Sequence, residues 1–131
     1  MSGVILPKSL IINANFNNAI LHNTDFSNAD LFRSKMVNVD LKYASMRNCT
    51  LINVDLTNSD LTGANLYNVD LQDAVLKGCD LTNTVLHKAH LGRTDMSSVI
   101  LVNTDLLEVD LTNVIGIKIV KNGEETNDET N

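Results

Sequence analysis

Tryptophan is absent from these 131 residues, and the other aromatics are scarce, with two Tyr and three Phe. Any core must therefore be aliphatic. Proline occurs once and the six glycines are scattered, so no Gly-rich phosphate loop is present. No apolar run approaches the ~20 residues of a membrane-spanning helix. The apolar patch in Met-Ser-Gly-Val-Ile-Leu-Pro is too short for a signal peptide, and no basic region precedes it. The expectation is a soluble, cytoplasmic chain with no membrane role. Basic residues are also in deficit, with 10 Lys and Arg against 16 Asp and Glu and a net charge of −6. Ordinary phosphate-backbone binding needs a basic face, so direct nucleic acid binding is not expected. A protein partner is the class that this composition leaves open.

Against those absences stands a period of five. Leu, Ile, Phe or Met occupies every fifth residue from Leu6 to Leu111, 22 positions without an insertion. Two residues before each, from Val4 to Val109, stands a small residue: Ala, Ser, Thr, Val or Cys. We call the large position i and the small one i−2. A helix would place its apolar stripe at 3.6 spacing and a long strand at two. Here i−2 and i lie on one side of a short extended segment, and i+1 and i+2 turn the chain. Repetition coils the chain around a thin core. Large side chains already meet near its axis, so a second large residue at i−2 would overpack it by ~1–3 kcal/mol. Asp and Asn are abundant, which suits many tight turns.

Segments such as Ala29-Asp30-Leu31, Ala64-Asn65-Leu66 and Val69-Asp70-Leu71 resemble the A(D/N)LXX consensus of pentapeptide-repeat proteins, and position i−1 is Asp or Asn in 12 of the 22 units. The resemblance implies an all-β fold, a right-handed quadrilateral β-helix with four pentapeptides per coil and about five and a half coils in all. The expected organisation is a single solenoid over 1–121, with repeats at about 4–113 and a closing strand at about 114–120. Residues 122–131 are expected to form a disordered acidic tail. The β-branched run Val114 to Val120 would close the last coil or make a dimer contact.

Four pentapeptides per coil stack every fourth unit and sort the exterior into columns. Ile12, Phe32 and Ile52 make an apolar column where other positions carry polar residues, a candidate partner surface. Asp40, Asp60 and Asp80 make an acidic one. Its carboxylates are expected to accept hydrogen bonds from turn amides, or to be read by a basic partner. Asn18, Asn38 and Asn58, and Asn28, Asn48 and Asn68, are placed to hydrogen-bond in ladders. His90, between Asp70 and Asp110, is expected to relieve their repulsion. Cys49 and Cys79 stand six pentapeptides apart and would lie on opposite sides of a coil, which disfavours a disulfide; they read as small buried fillers.

No nucleophile has an evident base and orienting acid beside it, no metal-ligand cluster with soft ligands appears, and a convex rod offers no cleft. No enzymatic activity, cofactor or metal is expected. The leading function is a non-catalytic, rigid protein-interaction scaffold. A homodimer through an end coil or through the Ile12/Phe32/Ile52 column fits the same reading. The alternative comes from the resemblance: some pentapeptide-repeat proteins mimic duplex DNA, bind DNA gyrase or topoisomerase and confer quinolone protection. Interspersed Arg33, Lys35, Lys42, Arg47, Lys77, Lys88 and Arg93 dilute the field such a mimic needs.

Overall fold

The computed structural model describes residues 3–121 and 124–127. Between Ile5 and Ile115 the i−1 residues are joined by parallel bridges from each coil to the next, as in Asp40 to Asp60 to Asp80. One coil is therefore four pentapeptides, and each pentapeptide forms one side.

The unit Ser59 to Gly63 shows why the chain settles into this shape, because all five of its amides find partners. Ser59 N–H closes the preceding turn on Leu56 O at 3.0 Å. Asp60 N–H reaches back to Val39 O at 3.0 Å, and Leu61 N–H reaches forward to Asp80 O at 2.9 Å. Thr62 N–H donates to Asp60 Oδ1 at 2.9 Å. Gly63 N–H donates to Thr82 O at 2.9 Å. Buried backbone groups must be paired, and this unit pairs them with the coils before and after, the turn that leads into it and one side chain.

The turn sets the identity of i+2. Every i+2 position, from Lys8 to Asn113, has positive φ, and Asn is the commonest occupant. A turn with only its third residue left-handed is of type II, where Gly and Asn are favoured. No β-branched residue occupies any of these positions, which agrees with the strain such a residue meets there. Pro7, at i+1, suits the turn's second position. Its unit has Ile5 at i−1, a side chain that offers no acceptor to an i+1 amide.

The core holds the side chains that the five-residue period selects. From Leu21 to Met96 every i side chain is buried, and the i−2 residues from Thr24 to Thr94 are buried beside them. Polar groups at i−2 are satisfied by one recurrent bond to an i carbonyl of the preceding coil. Ser34 Oγ donates to Ile11 O (2.8 Å), Ser59 Oγ to Met36 O (2.6 Å), Thr84 Oγ1 to Leu61 O (2.8 Å), and Thr94 Oγ1 to Leu71 O (2.7 Å). Cys49 Sγ and Cys79 Sγ do the same toward Phe26 O and Leu56 O, each at 2.9 Å. Both thiols are free, and burial pushes each up to about 12. They remain protonated fillers rather than nucleophiles. Thr24 Oγ1 is buried without a partner; the equivalent acceptor would belong to Met1, outside the described residues.

The two ends depart from the interior pattern. Leu6, Ile11 and Phe16 at one end, and Leu101, Leu106 and Leu111 at the other, are only partly buried because one neighbouring coil is missing. Phe16 packs edge-on against Phe26 with ring centroids 6.1 Å apart. In the first coil the i−1 positions include Ile5, Leu10 and Ile20, all exposed.

The expected closing strand at 114–120 takes a different form. Val114 and Ile115 continue the repeat, with Ile115 N–H on Thr94 O at 2.9 Å. The next i position is Gly116 instead of a large residue. Its φ is +76°, and a Cβ there would lie 2.8 Å from Ser97 Cα, so the chain leaves the coil here. Ile117 is buried against the core. β1 (Lys118–Lys121) then pairs antiparallel with β2 (Glu124–Asn127), so the run forms a hairpin rather than a final side. Part of the segment expected to be disordered, Glu124–Asn127, is thus in a strand; 122, 123 and 128–131 lie outside the described residues.

Candidate partner surface

The outward residues sit on a backbone held by bonds to the coils on both sides, so their spacing is fixed by the coil repeat of ~4.8 Å. Ile12, Phe32 and Ile52 fall in one column, joined through Asn13 N–H to Phe32 O (2.9 Å) and Arg33 N–H to Ile52 O (3.1 Å). Ile12 is 47% exposed, and Phe32 and Ile52 are half-buried. The Arg33 guanidinium lies 4.9 Å from the Phe32 ring centroid, covering part of the column.

Asp40, Asp60 and Asp80 also share a column, and each accepts from the amide two residues on. Lys42, Thr62 and Thr82 N–H donate to them at 3.1, 2.9 and 2.9 Å. Lys42 Nζ lies between the first two carboxylates, 3.7 Å from Asp40 and 3.8 Å from Asp60. His22 Nδ1 lies 3.3 Å from Asp40 Oδ2. The same cap recurs at every Asp and Asn in the i−1 position, from Asn15 to Asp110. Unlike His22, His90 makes no ion pair with the aspartates above and below it among the described residues. Asp70 and Asp110 instead cap their own turns.

Capping lowers several of these carboxyls. Asp25 lies below the ordinary 3.8 through the Ser27 side chain and amide, Asp80 through those of Thr82, and Asp110 through those of Thr112. Asp73 is lowered by the Arg93 guanidinium, which meets it with two bonds of 2.6 Å. A depressed folded-state value contributes stability that is present above the unfolded pKa and lost as pH falls through the folded one. Urea unfolding midpoints should therefore be level from neutral pH down to about 5 and fall below about 4. A maximum below pH ~4 would contradict the caps.

The Asn ladders form in part. Asn48 Nδ2 donates to Asn28 Oδ1 at 3.2 Å, Asn68 to Asn48 at 3.0 Å, and Asn38 to Asn18 at 3.4 Å. One further surface is not singled out by sequence reasoning. On the side next to the Ile12 column, Arg47, Tyr67 and His87 stack at successive coils. The Arg47 guanidinium is 5.5 Å from the Tyr67 ring, whose centroid is 5.5 Å from that of His87. Their common spacing of one full coil is the available signal.

Among the described residues no group of three or more His, Cys, Asp or Glu is placed to hold a metal ion, and no helix is long and apolar enough to cross a membrane.

Comparison with known proteins agrees with this geometry. A pentapeptide repeat region model matches residues 9–77, more than half of the chain, and a model of eight pentapeptide repeats matches residues 79–115. The chain belongs to the pentapeptide-repeat family. Its fold is that family's right-handed quadrilateral β-helix. A pentapeptide repeat protein, Rfr23, from the cyanobacterium Cyanothece 51142 is 25% identical, with TM-score 0.61 over 88% of this chain and 90% of that one. A pentapeptide repeat protein from the Arabidopsis thaliana thylakoid lumen is 26% identical, with TM-score 0.58 over 76% of this chain and 66% of that one. QnrB1, a plasmid-mediated fluoroquinolone resistance protein, is 14% identical, with TM-score 0.41 over 88% of this chain and 82% of that one. No curated protein sequence matches the chain.

Proposed function

We propose that this pentapeptide-repeat protein is a non-catalytic, rigid interaction rod that meets a protein partner through the Ile12/Phe32/Ile52 column. The observation that carries the reading is that partly exposed apolar column, fixed to the neighbouring coils through the amides of Asn13 and Arg33. A pre-ordered apolar patch loses little conformational freedom on binding. The Asp40/Asp60/Asp80 column is the weaker candidate contact, because its carboxylates already serve their turns and Lys42.

The duplex-mimic reading fits less well. Residues 3–117 carry 12 carboxylates against 8 Lys and Arg, a net charge of −4. A rod roughly 25 Å long that matched duplex DNA would need about 15 negative charges.

A photo-crosslinking amino acid placed at Ile12 or Ile52, in the native host, tests the assignment. We expect a discrete protein adduct from either position and none from Thr62 or Thr82 on the opposite side. Adducts of equal yield from all four positions, or from none, would remove the column as the contact.

A further inference from the structure

The side that carries Arg47, Tyr67 and His87 has Asp25 in the coil before them and Asp105 and Glu108 in the coil after, but its middle differs from the other three sides in charge. Its outward positions from residue 45 to residue 88 include no carboxylate, although the protein as a whole is acidic. The corresponding stretches elsewhere hold Asp60, Asp70 and Asp55. The difference arises at i−1, where this side has Ser45, Asn65 and Val85 in place of Asp. Two consequences follow. Ser45 is engaged with Ser27, the hydroxyls 2.8 Å apart, and Val85 has no acceptor, so the amides of Arg47 and His87 find no acceptor among the described residues. In capped units this i+1 amide points to the outer-face carboxylate of i−1. Arg47 is exposed and makes no ion pair among the described residues. Lys88 Nζ, two coils on, pairs among the described residues with Glu108, at 3.7 Å, which also lies 3.9 Å from His87 Nε2 and bounds the strip.

Arg47 without an ion pair and Lys88 shared with Glu108, together with two amides that have no acceptor among the described residues, about two coils or ~10 Å apart, flank a half-buried tyrosine ring. We infer that this strip docks an acidic segment of a protein partner, with carboxylates on Arg47 and Lys88 and an apolar side chain against the part of the Tyr67 ring that Arg47 and His87 leave open. Charge complementarity selects the occupant. An extended chain presents alternate side chains on one face, so carboxylates two residues before and two residues after a central apolar side chain stand ~13 Å apart on that face, within reach of the long Arg47 and Lys88 side chains on either side of Tyr67. A nucleic acid strand is the poorer occupant, because its affinity comes from neutralising many phosphates and this strip offers two cations. Tyr and Arg are also the residue types enriched among energetic anchors of protein interfaces.

This inference rests on the protein-interaction reading, but it concerns a different side of the rod. Failure of crosslinking at Ile12 would therefore leave it standing. The test is an amide-resolved NMR titration of the full chain with the peptide acetyl-Gly-Glu-Glu-Phe-Glu-Glu-Gly-amide, its Lys-for-Glu counterpart, and a short oligothymidylate. The acidic peptide should shift the amides of Arg47, Tyr67, His87 and Lys88. Arg47→Glu, whose remaining spectrum reports an intact fold, should weaken binding about tenfold or more, the scale of one lost charged contact. Three results would overturn the inference. They are no saturable shift at about 5 mM peptide, where millimolar affinity would register, shifts that Arg47→Glu leaves unchanged, and tighter binding of the oligothymidylate to the same amides.

Discussion

Leu66→Ala is expected to lower the free energy of unfolding by about 2–5 kcal/mol. Leu66 is fully buried in the middle of the rod. The coil around it cannot close the gap by shifting, because Leu66 N–H is bonded to Val85 O at 2.8 Å and Asn65 N–H to Ala44 O at 2.9 Å. A site that cannot collapse keeps its cavity, and the cost moves to the upper part of the range. Leu111→Ala, at the open end and only partly buried, should cost less than half as much. Urea denaturation of both variants measures the difference. Equal losses at the two positions would mean that the interior coils do not close over the core as described.

The second large effect comes from the turn. Asn48→Val should destabilise by about 2 kcal/mol or more, combining a β-branched residue in the left-handed region with two lost side-chain hydrogen bonds at ~0.5–1.5 kcal/mol each. Asn48 has φ 56°, donates to Asn28 and accepts from Asn68. Asn48→Gly loses the same two hydrogen bonds but tolerates the backbone. The gap between the two variants therefore isolates the conformational cost. Indistinguishable midpoints for Val and Gly would remove positive φ as the reason for asparagine at i+2.

Much of this is legible because the repeat is unbroken. A five-residue period names the buried side chains without reference to neighbours, and the interior from Leu21 to Met96 follows it at every i position. The caps at Asp40, Asp60 and Asp80 are legible too, because Asp two residues before a turn amide has a known use. Asparagine at i+2 is only half explained by ladders. They account for Asn28, Asn48 and Asn68, but the left-handed turn accounts for every i+2 position, including Tyr43 and Lys88. In the sequence, volume alone explains Ser, Thr and Cys at i−2. Their recurrent bond to a carbonyl of the preceding coil, as in Thr84 to Leu61, is visible only once the coils are stacked. His90 illustrates a different limit. Sharing a column with Asp70 and Asp110 sets its height on the rod but not the direction of its ring, whereas His22 at i+1 reaches Asp40. The C-terminal run departs from expectation because its β-branched residues suggest a last side, while Gly116 in an i position ends the coil.

The candidate surface is legible in one column and silent in the other. Ile12, Phe32 and Ile52 stand out because they are apolar at i+1 in three successive coils of one column, whereas Val37, Val102 and Leu107 stand singly in theirs. Arg47, Tyr67 and His87 break no composition rule singly; they become a strip only when stacked beside three i−1 positions that lack Asp.

The chain is a coil of four pentapeptides whose interior i−2, i−1, i and i+2 amides bond within the rod, while the i+1 amide depends on the side chain at its own i−1 position. Native-state amide hydrogen exchange tests it most directly. Protection should repeat every five residues across the interior coils, slowest at i−1, i and i+2, where amides bond between coils. The i+1 amides of Thr62, Gln72 and Thr82, held by Asp60, Asp70 and Asp80, should exchange more slowly than the uncapped i+1 amides of Arg47, Ile52 and His87. Protection without a five-residue period, or uncapped i+1 amides as slow as capped ones, would mean that the amides are not partnered in this way.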